Sequence, residues 1–185
     1  SLPPGLPDGF YGELIELVQN AGARVLLDAS GEPLSLGCAA APFLVKPNAA
    51  EAFGKIGMTG PLSSDLGKDG AALADAAALG LAYHFLALGI EVVALSLGAG
   101  GALLATSGRA VRARPPGVQA RNPVGAGDAL LAGVVWALER DLSLQEIARW
   151  GVAAGTAAAM GQGVATVTRA DVQALYEQVM THAVA

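Results

Sequence analysis

The chain has 185 residues, with 16 acidic and 11 basic side chains, a formal net charge of −5 and a pI near 4.9, which excludes a general attraction to nucleic-acid backbones. Charged residues make up only 15% and apolar ones 53%, a balance that excludes a disordered acidic tail and suits one domain or a large piece of one. The positive mean hydropathy of +0.48 comes largely from 39 Ala, not from long runs of large aliphatic residues.

The first predicted element is a helix over Asp8 to Asn20, where Phe10, Leu14, Leu17 and Val18 share one face. Gly22 stands where such a helix ends. Arg24 to Asp28 and Phe43 to Val45 read as short strands covered on both faces. Asn48 caps a helix running to about Gly57. A long Ala-rich helix follows, from about Gly70 to Leu88, and then a third buried strand from Glu91 to Ser96. Ala102 to Thr106 and Ala110 to Ala113 form a strand pair turning at Ser107-Gly108. Three helices close the chain: Gly125 to Glu139, Ser143 to Met160 and Arg169 to Met180.

Buried strands alternating with helices predict an α/β fold, a mostly parallel sheet with helices on both faces. Ligands in such folds bind beyond the carboxyl ends of the strands, which here are Asp28, Lys46 and Ser96-Leu97-Gly98. The longest uncharged stretch, Trp150 to Thr168, is broken by four glycines and is no membrane span. Ser1 to Pro4 lacks the basic start and apolar core of a secretion signal. Cys38, the single cysteine, allows no internal disulfide and no cysteine zinc cluster. The compartment is read as cytoplasmic, with neither membrane nor nucleic acid as partner. The loop-like start, leading straight into a helix, reads as the back part of a longer protein. Its first strand, Val25 to Asp28, then becomes an open sheet edge. That edge predicts a homodimer or a place inside a longer chain.

The segment most suited to chemistry is Asn122-Pro123-Val124-Gly125-Ala126-Gly127-Asp128. Glycines at a helix start expose the first backbone N–H groups, which favour an anion such as phosphate. Asp128 in the first turn can accept a proton from a hydroxyl while the amides hold phosphoryl oxygens. A plain structural turn with a helix-start carboxylate explains the spacing equally well. Two other phosphate motifs fail. A dinucleotide fingerprint needs Gly where Leu130 stands, and neither Gly67-Lys68 nor Gly54-Lys55 has the P-loop glycine ahead of it.

Asn122 to Asp128 resembles the signature of the ribokinase/PfkB-type carbohydrate kinases. Lys46-Pro47-Asn48-Ala49-Ala50-Glu51, Ser96 to Ala102 and Gly151 to Ala157 resemble three further segments of that family, in the same order. Ser1 to Gly5 and Asp28 to Glu32 resemble its phosphosugar branch, the 1-phosphofructokinases, tagatose-6-phosphate kinases and minor 6-phosphofructokinases. The resemblance implies a three-layer ribokinase-like fold, present here as the carboxyl-terminal part of a single kinase domain without its amino-terminal part and lid.

It also implies transfer of the ATP γ-phosphoryl to a hydroxyl of a ketohexose phosphate. Asp128 would be the base and a substrate contact, with Gly125, Ala126 and Gly127 supplying amides to the phosphoryl group. Asn48 and Glu51 would order Mg²⁺, although the same pair can be a capping box that only stabilises the helix. Ser96, Gly98 and Gly101 would lie along ATP, or form an ordinary strand-to-hairpin turn. Gly151, Ala154 and Gly155 would flank adenine, or serve close helix packing. Ser1 would contact the sugar phosphate. Lys46 is read as close to phosphates or solvated at a strand end. Arg112, Arg114 and Arg121 could meet an anionic substrate but are read as solvated, His84 as structural and Cys38 as a packing residue. Ala29 stands where the branch usually carries Thr or Ser. Two alternatives stay open: a nucleotide-binding remnant without catalysis, and a sugar or nucleoside kinase of the same fold.

Overall fold

The computed structural model describes residues 2–56, 74–161 and 167–185. Its order of elements is α1 (Phe10–Asn20), β1 (Leu26–Leu27), α2 (Gly31–Ala39), β2 (Leu44–Val45), α3 (Ala49–Ile56), α4 (Asp75–Leu86), β3 (Val92–Ser96), a short 3₁₀ turn (Gly98–Gly100), β4 (Ala102–Ala105), β5 (Ala110–Arg114), α5 (Ala126–Leu138), α6 (Leu144–Met160), α7 (Arg169–Tyr176) and β6 (Met180–Val184).

The six strands lie side by side in chain order. Leu26 and Leu27 pair with Leu44 and Val45, and these pair with Val92 and Val93, all parallel. The expectation of a mostly parallel sheet therefore holds for the first three strands. The β4–β5 hairpin and the returning β6 make the other three pairings antiparallel, so the sheet is mixed.

Side chains alternate across the sheet with the period of two that a strand imposes. Val45, Val93, Leu95 and Leu103 point to one face, where they pack with Ile15, Leu34, Phe53 and Phe85 of the first four helices. Leu44, Val92, Ala94 and Leu104 point to the other, against Val134, Trp150 and Leu175 of the last three. Two cores on one sheet make the three-layer α/β/α arrangement.

Local chemistry sets the helix starts. Ser143 Oγ and Glu146 close a capping box at α6, and Thr168 and Asp171 do so at α7. At the end of α1, Gly22 N–H donates to Gln19 O at 2.8 Å and Ala23 N–H to Val18 O at 3.2 Å, closing the helix where the sequence predicts.

Two elements differ from the sequence expectation. Helix α2 was not predicted, because Gly31, Pro33 and Gly37 are poor helix formers. Pro33 lies in the first turn, where a missing N–H costs nothing. A Cβ on Gly37 would stand 2.7 Å from Leu27 Cδ2, so the glycine lets α2 lie close on β1. The last helix was expected to reach Met180 but ends at Tyr176, and Met180 to Val184 turn back as β6 along β5. The helix expected from about Gly70 to Leu88 begins at Asp75, after an extended Ala74, and ends at Leu86; residues 70–73 lie outside the described residues. Among the described residues, no helix is long and apolar enough to cross a membrane.

Candidate active site

Strands β1, β2 and β3 end together, and their carboxyl ends carry Asp28, Lys46 and Ser96. Ser96 N–H donates to Pro47 O at 2.9 Å, and a parallel bridge joins Asn48 to Ser96. This tie fixes the segment that launches α3. There Glu51 N–H donates to Asn48 Oδ1, and Asn48 N–H to Glu51 Oε2, both at 2.8 Å. The capping box read from the sequence is thus formed in full.

The Gly125 turn sits opposite. Asn122 Oδ1 accepts from Val124 N–H at 3.0 Å, and Ala126 N–H donates to Pro123 O at 3.1 Å. Gly125 takes a left-handed backbone (φ 81°) with open space where a Cβ would be. The helix ladder begins with Ala129 N–H to Gly125 O at 2.9 Å. The amides of Gly127 and Asp128 lie before that first bond, where a helix leaves its donors for an external acceptor.

Lys46 decides the character of this turn. It is only 6% exposed, and its Nζ lies 3.1 Å from Asp28 Oδ2. A Cβ on Gly127 would stand 3.3 Å from the same Nζ. A buried ammonium therefore touches the helix start, held by an aspartate on its other side. The solvated alternative for Lys46 is wrong, because the strand end is enclosed by the turn. The other reading of Lys46 from the sequence, a place close to phosphates, rested on its position at a strand end ahead of Asn48.

Beside these parts lies a cleft of about 680 Å³, lined by Asp28, Ala29, Ser30, Glu51 and Asp128 and by Leu131, Ala132, Val135, Trp136 and Glu139; Lys46, Gly125, Ala126 and Gly127 adjoin its lining residues without being among them. Asp128 is exposed to it. The Trp136 ring is fixed by Trp150, 4.2 Å between centroids, and by the Arg140 guanidinium 4.0 Å above its face. The cleft joins the carboxylates of Asp28, Glu51 and Asp128 to a wall that is apolar from Leu131 to Trp136 and ends at Glu139.

The other predicted positions divide. Ser96 is tied to the α3 launch. Gly98 begins the compact 3₁₀ turn, in which Gly100 N–H donates to Leu97 O and Gly101 N–H to Gly98 O. Gly101 has φ 84°, and any Cβ there would collide with Ala113 O. None of Ser96, Gly98 and Gly101 lines the cleft. On α6, a Cβ on Gly151 would meet Val134 Cγ2 at 2.8 Å, and one on Gly155 would meet Ala126 O at 3.0 Å. Ala154 lies 2.9 Å from the Cβ position of Gly133. These three small residues fill the α5–α6 seam, the packing alternative, and so hold the Gly125 turn from beneath. Ser1 lies outside the described residues. His84 packs edge-on against Phe85, and Cys38 is fully buried. Arg112, expected to be solvated, is fully buried.

The match to a family model decides the wider reading: the pfkB family carbohydrate kinase model covers residues 1–170. The chain belongs to the pfkB family of carbohydrate kinases. Among pfkB relatives, it is 43% identical over 149 residues to a 1-phosphofructokinase of Rhodobacter capsulatus, covering 80% of this chain and 43% of that protein. It is 34% identical over 177 residues to the ATP-dependent 6-phosphofructokinase isozyme 2 of Escherichia coli, covering 95% of this chain and 54% of that protein. The E. coli phosphofructokinase-2 structure in complex with potassium superposes with a TM-score of 0.82 at 32% identity, over 96% of this chain and 54% of that one. The chain spans about half the length of the curated relatives it matches.

Mg²⁺ suits the donors at the cleft. Among the described residues no group of three or more His, Cys, Asp or Glu forms a metal cage. Mg²⁺ does not need one, since it keeps several waters and takes one or two carboxylates plus phosphates. Glu51 borders the cleft, with Asn48 fixing its carboxylate through the capping box.

Proposed function

We propose that this chain carries the phosphoryl-transfer centre of an ATP-dependent phosphosugar kinase, as the carboxyl-terminal part of a single ribokinase-like kinase domain. The acceptor would be a ketohexose phosphate: fructose-1-phosphate, fructose-6-phosphate or tagatose-6-phosphate. One observation carries the reading: the buried Lys46 ammonium lies against the Gly127 helix start, beside a cleft lined by Asp128.

Phosphoryl transfer depends on positioning and on stabilising charge spread over the phosphoryl oxygens. The amides of Gly127 and Asp128 and the Lys46 ammonium offer three donors in one region, preorganised by α5 and by Asp28. Gly125 and Ala126 shape that turn. Asp128 accepts the proton of the acceptor hydroxyl as its oxygen bonds to the γ-phosphorus. The bond from phosphorus to the β,γ-bridging oxygen breaks, and ADP leaves with the electron pair. When bound, Mg²⁺ would neutralise phosphate charge, held through water by Glu51 and the Asn48 segment. Ser96, Gly98 and Gly101 remain candidates for contact along ATP, and Ser1 for the sugar phosphate.

The relatives' names support a phosphofructokinase-type substrate, and the phosphate-turn grammar supports a nucleoside triphosphate donor. With ATP and a soluble phosphosugar as substrates, the location would be cytoplasmic. Among the described residues β1 is an unpaired edge of the sheet, which supports contact with a second copy or with further chain of the same protein, as light scattering would detect. A second reading, a nucleotide-binding remnant without turnover, draws on the half-length match.

The test is an ATP–Mg²⁺ assay of the full-length gene product against the three sugar phosphates. Turnover with one of them, and much weaker turnover with fructose or a nucleoside, is expected. ATP binding without turnover on any would favour the remnant.

A further inference from the structure

Behind the Gly98–Gly101 turn lies a charge cluster that the phosphoryl-transfer chemistry does not use. Strand β5 presents Arg112 and Arg114 on the face toward α4, and β6 presents His182 directly opposite Arg112. All three converge on Asp75, the first residue of α4. Arg114 Nη2 lies 3.2 Å from Asp75 Oδ1, His182 Nε2 2.6 Å from Oδ2, and Arg112 Nη1 3.7 Å from Oδ1.

Arg112 stands apart within this group. Its side chain is 0% exposed, and among the described residues its Nε and Nη1 have no hydrogen-bond partner. Among the described residues its hydrogen bond is from Nη2 to Gly100 O at 3.0 Å. A guanidinium cannot shed its charge to relieve such burial, and an apolar side chain of similar volume would pack there at lower cost. The bond to Gly100 is what an apolar residue could not supply. The same turn is pressed from the next register position, where Gly101 lies against Ala113 O and Pro115 Cδ. Strand β5 thus holds the turn twice, by a close backbone approach and by a buried fork.

We propose that Arg112 is a positioning residue for the Gly98–Gly101 turn, with Asp75 as its counter-charge, and that ATP affinity depends on the hydrogen bond to Gly100. The proposal rests on the reading of this turn as the segment lying along ATP. Arg112, sealed from solvent, acts on the nucleotide only through the backbone it fixes. Asp75 acts one step further back, and shares its charge with Arg114 and His182.

The experiment uses the full-length gene product with Arg112→Met, Arg112→Lys and Asp75→Asn. Three quantities are measured: amide hydrogen exchange over residues 97–101, the Kd for ATP–Mg²⁺ by calorimetry, and KM for the sugar phosphate. Arg112→Met should speed exchange in that segment and raise the ATP Kd about tenfold, the scale of one charge-assisted hydrogen bond. The sugar-phosphate KM should stay within twofold. Arg112→Lys should recover part of the affinity, and Asp75→Asn should show a smaller shift of the same kind.

Wild-type exchange and wild-type ATP Kd in the Arg112 variants, with ATP still bound, would overturn the proposal and leave the kinase reading standing. Faster exchange with no ATP binding even by the wild type would contradict the kinase reading and, with it, the claimed dependence of ATP affinity on Arg112. A general loss of melting temperature, with both substrates weakened together, would reduce Arg112 to a folding role and overturn the proposal. If Arg112→Met does not fold, the Lys and Asp75→Asn variants carry the same readouts.

Discussion

Lys46 and Arg112 are both buried cations on the same sheet, and each faces an aspartate and a glycine turn. Lys46 sits 3.1 Å from Asp28 and against Gly127, where the turn opens on a cleft. Arg112 sits 3.7 Å from Asp75 and bonds the Gly100 carbonyl, where the turn is sealed against β5. The difference lies in what remains in front of the charge. An ammonium beside free amides can act on an anionic substrate. A guanidinium beneath a closed turn can act only on the backbone it holds. The two glycines make the same contrast: Gly125 has open space where a Cβ would go, and Gly101 has a carbonyl there.

The sharpest way to break this comparison is to remove the two cations separately. Lys46→Met should lower kcat about 10²–10³-fold, the scale of one preorganised donor to a developing oxyanion, whereas Arg112→Met should leave kcat nearly unchanged. Steady-state kinetics on the folded variants checks this, and equal kcat losses would erase the distinction between an open and a sealed charge.

The glycines give the next largest effect. Gly101→Ala should cost about 3 kcal/mol, combining a left-handed alanine with a collision against Ala113 O. Gly125→Ala should cost about 1 kcal/mol, from backbone strain alone. Urea unfolding measures both, and a Gly125 variant as unstable as the Gly101 variant would mean that the open turn is packed after all.

The smallest effect is a pH dependence at the sealed cluster. Burial pushes the Asp75 carboxyl up, but the hydrogen bond from His182 and the Arg112 and Arg114 charges outweigh it, so the net shift is downward. A carboxyl lowered on folding stabilises the protein above its unfolded pKa, and that stability fades as pH falls through the folded value. Asp75→Asn should therefore lose that stabilisation at neutral pH and flatten the further loss below about pH 4, so that variant and wild type converge in acid. Thermal unfolding across that range reads it, and an unchanged acid slope would detach Asp75 from the cluster.

Much of this was legible in the sequence. The spacing of Phe10, Leu14, Leu17 and Val18 marks α1, and the all-apolar Val92 to Leu95 marks a strand covered on both faces. The Gly125-Ala126-Gly127-Asp128 helix start, the Asn48–Glu51 box and the Ala102–Ala113 hairpin also follow from local rules. What was hidden depends on partners distant in sequence. Gly37 in α2 makes sense only once Leu27 of β1 is seen to lie against it, and β6 is a strand because β5 offers an edge. Arg112 reads as solvated until β6 and Asp75, both far along the chain, close over it. Gly151 and Gly155 look as suited to a nucleotide as to a helix neighbour, and only the seam with α5 brings out the second role.

The most direct test of the central claim is Asp128→Asn in the full-length gene product, with ATP–Mg²⁺ binding and sugar-phosphate turnover measured on the same preparation. A Kd for ATP within about twofold of wild type is expected, with turnover lowered about 10²–10⁴-fold, the scale of a lost general base. Turnover retained at the wild-type level would contradict that claim.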